Sequence, residues 1–490
     1  MLKQEEKQSV ITEKLKKIVG NEWVSDFPEE LFLYSFDMTE NPPGNPEFVA
    51  MPKTPQEIQS IVKLANEYKF PIVPFVAGAN VGGLAIPQRG GLILDLKRMD
   101  QIIHLNEDDM YVIVEPGVTF GHINKFLKDT KFRYSYPNAP PYVSLMANAL
   151  LGGLNNLSLK YGCMTEIING IEVVLPTGEI VNIGTCSCWS DKALWWGKGP
   201  MPDLMGLFKN WQGMTGIVTK IALQIWPKKP IRDWICIASF DLEGIYKLVK
   251  NLTRLEIADD ILWVSAETLK MMVGVPLGEA VIAVDDPLPH WYVIIDLSAH
   301  IQSEFDAKME MIQSAVTELT EIDPKAFQTT LAIAGQMFGT KITDFQNLPI
   351  SIGGLLEHGG CTWLGTYMTT KTDSVIQGVK TAFDIIGKHG FEKCLYTRMM
   401  KGGHFFAFRF LLRFSKENEE ETERMRKMNK ELLETLFDLG AMPYKTPAWA
   451  AEHVLEHCDQ NWIKLFNKIK KTLDPNGIMN PGRWGFDLEQ

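Results

Sequence analysis

The first half of the chain alternates between helical and extended hydrophobic patterns. Thr54-Pro55-Gln56-Glu57 is typical of a helix start, in which Thr54 caps, Pro55 takes the first turn and Glu57 completes a capping box. The apolar residues that follow at helical spacing are Ile58, Ile61, Val62, Ala65 and Tyr68. Short apolar runs at 71–76, 92–96 and 111–115 then predict buried strands.

The same mixture continues to about residue 230. A helix is predicted over 120–129 with Thr119 as its cap, and two strands at 171–175 and 180–183 flank a turn of Pro, Thr, Gly and Glu. A β-branched, roughly alternating stretch at 216–226 predicts another strand. Residues 1–230 are therefore predicted to form an α+β domain.

A second domain is predicted beyond the Pro-Lys-Lys-Pro segment at 227–230. It would span 231–440, with a helical region at 296–320 and an amphipathic helix at 417–439 that ends before Gly440. The closing segment, 441–490, ends in a turn-rich stretch that is unlike a mobile tail.

Composition and charge exclude several classes of protein. The chain has 490 residues, of which 45% are hydrophobic and 22% charged, as in ordinary globular proteins. The net charge of -11 argues against a nucleic-acid partner. No apolar run approaches the length of a membrane span, and the charged first residues do not resemble a secretory signal. Seven scattered cysteines predict reduced thiols and a cytoplasmic location.

A loop of small residues follows the strand predicted at 71–76. It reads FVAGANVGG over 75–83, and its backbone N–H groups could approach an anion such as a pyrophosphate closely. The spacing matches neither the dinucleotide-binding glycine pattern nor the NTPase phosphate loop. Taken alone, the loop is equally compatible with a glycine-rich turn between strands.

Five further blocks of sequence bear on the role of this loop. They read GLILDLKRMDQII over 91–103, YVIVEPGVTFG over 111–121, GIEVVLPTGE over 170–179, GMTGIVTK over 213–220 and LDPNGIMNPGR over 473–483. In this order they resemble the vanillyl-alcohol oxidase / p-cresol methylhydroxylase family of FAD-binding oxidoreductases. The resemblance runs from about residue 50 to the C-terminus. It implies a two-domain PCMH-type FAD-binding fold in which residues 231–440 form an antiparallel-sheet cap and 441–490 return to the FAD domain.

The resemblance also implies which residues hold FAD. Ala77, Gly78, Ala79, Asn80 and Val81 would hold the pyrophosphate. The other implied cofactor residues are Asn148 along the flavin, Ile217 and Val218 through main-chain contacts, and Arg483 from the C-terminal segment. A surface or interdomain ion pair is the alternative for Arg483, and a turn or capping role is the alternative for Asn148.

The chain departs from the family where phenol-oxidising members bind a phenolate. No tyrosine follows Asn80 in the loop, and the family's Tyr-Arg pair before the final helix is Tyr444-Lys445 here. The stretch at 137–143, where the family has an acidic base, contains no carboxylate. We therefore expect a divergent member that does not oxidise para-alkylphenols.

Some family members attach FAD covalently through a histidine or tyrosine of the cap. The corresponding position is nearest Cys361, with His358 and Tyr367 close by in sequence. We expect non-covalent FAD.

Three residues are candidates for catalysis. His404 matches a cap-strand histidine that faces the flavin and would accept a hydroxyl proton. Tyr444 would donate a hydrogen bond to a substrate oxygen, and Lys445 would anchor an anionic substrate or offset negative charge. The alternatives are a hydrogen-bonded cap histidine, core packing and an exposed lysine. His453 and His457 share a helix face, but without a third ligand in view no metal site is predicted.

These observations predict an FAD-dependent dehydrogenase or oxidase. It would move hydride from a small organic alcohol or acid, aromatic substrates included, to flavin N5. The alternatives are a 2-hydroxy-acid dehydrogenase, disfavoured by the lack of a clear arginine-and-histidine carboxylate site, and a flavin subunit that relays electrons without catalysis. The expected partners are a small-molecule substrate, an electron-acceptor protein and a second copy of the chain.

Overall fold

Two sheets form the framework of the N-terminal part. The computed structural model describes residues 4–189, 192, 194–272, 289–322, 327–329 and 359–486. In the first sheet the strand order is β1-β2-β4-β3, with parallel pairing except between β1 and β2. Its strands are β1 (Val24–Ser25), β2 (Phe48–Ala50), β3 (Ile72–Phe75) and β4 (Leu92–Asp95).

The second sheet is antiparallel, with the order β5-β6-β10-β8-β9. Its strands are β5 (Ile102–Asn106), β6 (Tyr111–Val114), β8 (Ile168–Val174), β9 (Ile180–Gly184) and β10 (Ile217–Gln224). A short ladder joins β7 (Phe132–Arg133) to β11 (Trp226–Pro227). The helices of this part are Gln4–Val19, Pro28–Leu33, Pro55–Tyr68, Phe120–Leu127, Leu145–Leu150 and Ser158–Tyr161.

The predicted helix starts are confirmed. The Thr54 side chain accepts a hydrogen bond from the Glu57 N–H, and Thr119 caps the next helix by accepting from the His122 N–H. Glu57 reaches back to the N–H of Lys53 rather than that of Thr54, so the first capping box is shifted by one residue.

An eight-stranded antiparallel sheet forms the cap, as predicted, with the order β15-β12-β14-β13-β17-β18-β16-β19. Its strands are β12 (Ile231–Ser239), β13 (Asp260–Ser265), β14 (Trp291–Ala299), β15 (Phe327–Thr329), β16 (Gly359–Met368), β17 (Tyr396–Met400), β18 (Phe405–Ser415) and β19 (Met442–Pro443). The cap helices are Leu242–Arg254, Ala266–Met272, Gln302–Ile322, Thr372–Lys388 and Glu419–Asp438.

The helical region predicted at 296–320 begins too early. Asp296 lies in β14, and the helix starts at Gln302. Every residue of β14 is buried, because one face of the strand packs into the main cap core and the other face packs into a second hydrophobic cluster. A strand buried on both faces has no alternating pattern, so its end could not be read from periodicity.

The last segment returns to the first sheet after helices Ala448–Glu456 and Gln460–Leu473. Met479 bridges to Ile72 in parallel, and the Ile72 N–H donates to the Ile478 carbonyl at 2.7 Å. Ile478 and Met479 are buried in the same core cluster as the helix Pro55–Tyr68. The N-terminal part is therefore completed by the end of the chain, and the predicted boundaries at 230 and 440 stay predictions.

No helix among the described residues is long and apolar enough to cross a membrane.

Candidate functional site

A deep cavity lies where the loop after β3 meets the helix Leu145–Leu150 and the start of β10. The space between its walls is about 1130 Å³, part of which is open to solvent. Eight predicted site residues line it, namely Ala77, Gly78, Ala79, Asn80, Asn148, Ile217, Val218 and Lys445. The lining contains no Asp or Glu.

The loop is shaped so that its backbone faces this cavity. Gly78 has φ +65°, a left-handed conformation that a side chain would strain, and a β-carbon there would lie 2.8 Å from the Phe75 ring. The Asn80 side chain holds the turn by accepting from the Gly82 N–H at 2.7 Å. The N–H groups of 77–80 donate no hydrogen bond to any residue that the structure describes. Such a run of free donors suits a phosphate oxygen.

Two buried side-chain oxygens add acceptors to the same cavity. Asn148 and Gln212 both line it, and neither Asn148 Oδ1 nor Gln212 Oε1 has a hydrogen-bond partner in the described structure. Ser144 caps the helix that carries Asn148, so Asn148 is not the capping residue. A buried unpaired acceptor is costly, and a bound group that donates N–H or O–H there would remove the cost.

Three predicted site residues lie next to the cavity or behind it. Val81 lines a small adjoining space with Tyr444 and Lys445. Arg483 is 1% exposed and donates from Nη2 to the carbonyls of Gly83 and Ile86, at 2.9 and 2.6 Å. Arg483 therefore stabilises the loop from the side that faces away from the cavity, and it does not line the cavity.

His404 lies outside the cavity. It follows the turn Lys401–Gly403 at the entrance to β18 and is exposed, although the sequence placed it on a strand facing the cofactor. The turn needs Gly402 in a left-handed conformation, with φ +66°, and this displaces His404 from the sheet. The structure does not bring His404 together with Tyr444 and Lys445.

Beside the cavity, the inner face of the cap sheet carries a polar cluster that the sequence did not reveal. In β18, the residues Phe406, Phe408 and Phe410 pack into the main cap core, so Arg409 projects from the opposite face. Arg409 is 2% exposed, its Nε donates to the Tyr396 carbonyl at 3.1 Å, and its Nη2 has no described partner. The available signal was a pair of arginines, Arg409 and Arg413, within the otherwise apolar run FFAFRFLLRF.

Aromatic rings surround this arginine. The guanidinium lies 5.2 Å from the Trp363 ring centroid and 4.7 Å from that of Tyr396, distances at which cation–π attraction operates. The Tyr396 hydroxyl accepts from the Asn138 side chain. Opposite Arg409 in the sheet is Gly365, whose missing side chain leaves room for the Tyr444 ring.

Tyr444 and Lys445 are held against this face. The Tyr444 ring stacks on Tyr367 at 4.9 Å with an interplanar angle of 7°, and the Tyr367 hydroxyl donates to the Gly152 carbonyl at 3.4 Å. Burial, assisted by the charge of Arg409, lowers the pKa of Lys445 to about 8. Burial also raises the pKa of Tyr367 well above its usual value, so its phenol stays neutral and keeps the proton that it donates to Gly152.

The residues around the cavity fit FAD, and comparison with known proteins agrees. The sequence model described as the FAD binding domain matches residues 46–184, and the one described as the C-terminal domain of FAD linked oxidases matches 366–484. The chain belongs to the PCMH-type FAD-linked oxidoreductases. The predicted family, fold and cofactor are thereby confirmed, and the protein is an FAD-dependent oxidoreductase.

Individual relatives are similar over nearly the whole oxidoreductase. It is 26% identical to the flavoprotein subunit of 4-cresol dehydrogenase [hydroxylating] of Pseudomonas putida, over 97% of this chain and 95% of that protein. It is 25% identical to glycolate oxidase subunit GlcD of Bacillus subtilis, over 96% of each. Substrate-bound p-cresol methylhydroxylase has a similar fold, with a TM-score of 0.86 at 21% identity over 99% of this chain and 98% of that one.

Proposed function

We propose that this oxidoreductase oxidises a small hydroxy acid whose carboxylate is held by Arg409 and Lys445. The observation that carries the proposal is a pair of buried cations beside the FAD cavity that form no salt bridge with a described carboxylate; the nearby Asp260 acts on the charge of Arg409 but is paired with Arg398. The sequence had left a 2-hydroxy-acid substrate as an alternative, favoured by the loss of the phenolate set and disfavoured by the lack of a clear arginine-and-histidine carboxylate site. Arg409 now supplies that arginine.

The pairing of charges on the inner face of the cap sheet supports carboxylate binding by Arg409 and Lys445. Arg232 pairs with Asp296, and Arg398 Nη2 lies 2.7 Å from Asp260 Oδ2. Arg409 and Lys445 make no salt bridge to any residue that the structure describes. Two desolvated cations left over after this pairing favour an anionic ligand, and a guanidinium fork matches a carboxylate geometrically.

Roles for the cofactor-binding residues follow from their positions. We propose that Ala77, Gly78, Ala79 and Asn80 offer backbone N–H groups to the pyrophosphate, and that Asn148, Ile217 and Val218 contact FAD. Val81 and Arg483 would support the loop from outside the cavity. Cys361 is fully buried against Met271 and Leu411, away from the cavity lining, which supports non-covalent FAD; His358 lies outside the described residues.

The chain's own residues would orient the substrate. Bound FAD supplies the hydride acceptor. Arg409 and Lys445 would fix the carboxylate, and the Tyr444 phenol would donate a hydrogen bond to the substrate hydroxyl oxygen. The stacked Tyr367 and Tyr444 rings would exclude water from one side. His404 has no part in this arrangement because its side chain is exposed and does not line the cavity.

Para-alkylphenol oxidation has less support. The cavity lining lacks a carboxylate and the loop lacks a tyrosine at 81–83, which are two of the groups that the resemblance associates with phenolate chemistry. We therefore do not assign to this chain the cresol substrate that is named for the Pseudomonas relative.

The wider setting is also a proposal. We propose that an electron-acceptor protein reoxidises the cofactor, that the chain forms a homodimer, and that it works in the cytoplasm. All seven cysteines are unpaired, as expected in a reducing compartment. Sedimentation of the purified holoenzyme would test the dimer.

Anaerobic bleaching of the flavin absorption band tests the substrate class. The panel would contain 2-hydroxy acids, their uncharged amides, benzylic alcohols and para-alkylphenols. We expect bleaching by a 2-hydroxy acid and at least 10²-fold slower bleaching by its amide. Equal rates for acid and amide, or bleaching by alkylphenols alone, would contradict the proposal. Failure of every compound, with ready reduction by a partner protein, would instead support an electron relay.

A further inference from the structure

The C-terminal end of the helix Ala448–Glu456 carries two histidines and a glutamate. His453 and Glu456 lie in the last turn, and His457 is the C-cap residue. One potential ligand atom from each of the three lies within 4.8 Å of the others. The sequence had shown two histidines on one face but no third ligand, and the structure supplies Glu456 as the third.

Packing fixes both imidazole rings. Phe437, from the end of the preceding long helix, contacts His453 edge to face at 5.0 Å and His457 at 4.9 Å between ring centroids. His457 Nδ1 lies 2.8 Å from the carbonyl oxygen of His453. A backbone partner on one ring nitrogen leaves the other free and oriented, which is how ligating histidines are commonly held.

His453 also has an uncommitted nitrogen. Its Nε2 is buried and has no hydrogen-bond partner in the described structure. The last turn of a helix carries the negative end of the backbone dipole, and Glu456 adds a formal negative charge there. The electrostatics of this helix end therefore favour a cation over a neutral molecule.

We propose that His453, Glu456 and His457 bind a divalent transition-metal ion of the zinc class. Two imidazole nitrogens and one carboxylate oxygen are ligands that zinc accepts, and a water would complete a four-coordinate site. A change of rotamer at exposed Glu456 would bring its carboxylate closer to the two imidazole nitrogens. The helix begins three residues after Lys445, so the ion would stabilise the segment that leads away from the proposed substrate site.

Cobalt(II) provides a direct probe of the site, because its visible absorption reports coordination by protein ligands. Holoenzyme with FAD bound would be titrated with Co²⁺ and, separately, with Zn²⁺ while the melting temperature Tm is measured. We expect one Co²⁺ per chain at micromolar concentrations and a Tm that rises with zinc concentration, since an ion that binds the folded state stabilises it.

Matched variants locate the binding. His457→Gln and Glu456→Gln should each weaken Co²⁺ binding at least tenfold, whereas His300→Gln, at an exposed histidine of the cap, should leave it unchanged. FAD content and circular dichroism would show that each variant is folded. The proposal is overturned if the wild-type protein binds no Co²⁺ up to millimolar concentration, or if all three variants bind it equally.

Discussion

The carbonyl oxygen of Lys445 lies 2.3 Å from the point that a β-carbon on Gly82 would occupy. The FAD-binding loop and the segment carrying the proposed anion-binding lysine are thus in direct backbone contact. Lys445 itself has φ +50°, an unusual conformation for a residue with a side chain. The position of this lysine therefore depends on the absence of a side chain from the loop.

The first prediction follows from this contact. Gly82→Ala should push the segment at 444–446 away from the loop and lower the free energy of unfolding by about 1–3 kcal/mol or more, as overpacking does. It should also weaken FAD binding, measured by fluorescence titration of the released flavin.

Gly206→Ala is the matched control, because a β-carbon there would meet nothing within 4 Å. We expect it to change neither stability nor FAD affinity measurably. Equal behaviour of the two variants would show that the close approach of Gly82 to Lys445 is not maintained in solution.

The second prediction concerns Arg409. Arg409→Met should raise the KM for an anionic substrate by roughly 10²-fold, because losing one partner of a buried charge contact costs about 2–5 kcal/mol. Its effect on a neutral substrate analogue should be much smaller. Rates of anaerobic flavin reduction at several substrate concentrations would separate binding from the chemical step.

Arg413→Gln is the control for Arg409. Arg413 projects from the same face of β18 but pairs with Glu392, at the far end of the strand from the turn at 401–403. This variant should lose stability but keep the wild-type preference for acids over their amides. A loss of that discrimination equal to that of Arg409→Met would indicate a general disturbance of the sheet.

A residue of the candidate site could be predicted from the sequence when its role depends on local sequence, and not when its role depends on tertiary contacts. The loop at 75–83 was predictable because a tight turn free of bulky side chains is a local property, and eight of the predicted cofactor or substrate residues line one cavity. Arg409 was missed because its importance arises from strand register and from the pairing of Arg232 and Arg398 with other partners. Those are tertiary facts that no local pattern contains.

His404 shows the opposite case. Its position was inferred from resemblance, and in the structure the turn Lys401–Gly403 before the strand leaves its side chain exposed. We therefore predict that His404→Ala leaves the flavin reduction rate within about twofold of the wild type, measured by stopped flow. A fall of about 10² or more, the usual effect of losing a proton acceptor, would return His404 to the catalytic site.

The pH dependence of binding should report Lys445. Its pKa is lowered to about 8, so the ammonium form is lost as pH rises through that value. The KM for an anionic substrate should increase above about pH 8, and Lys445→Met should remove this limb of the profile. Because the unfolded lysine has the higher pKa, its burial destabilises the folded state below pH 8, and this penalty disappears as pH rises from about 8 towards 10.5.

The final prediction concerns a buried carboxylate where the two domains meet. Asp259, just before β13 of the cap, accepts hydrogen bonds from Arg133 and Lys160 of the N-terminal part and from Ser298. Burial raises the pKa of its carboxyl, but the charges of Arg133 and Lys160 outweigh burial and leave the pKa below its usual value. The ionised form is therefore the one that stabilises the contact between domains.

Asp259→Asn should lower the free energy of unfolding by about 3–5 kcal/mol, because it leaves buried cations without their counter-charge. In the wild type this stabilisation is complete above the unfolded pKa of an aspartate and is lost as pH falls through the lower folded value, so the gap between the two proteins should narrow in acid. Urea unfolding at several pH values measures this difference in unfolding free energy, with exposed Asp108→Asn as the control. A constant gap at all pH values would mean that packing, and not the charge on Asp259, holds the cap to the N-terminal part.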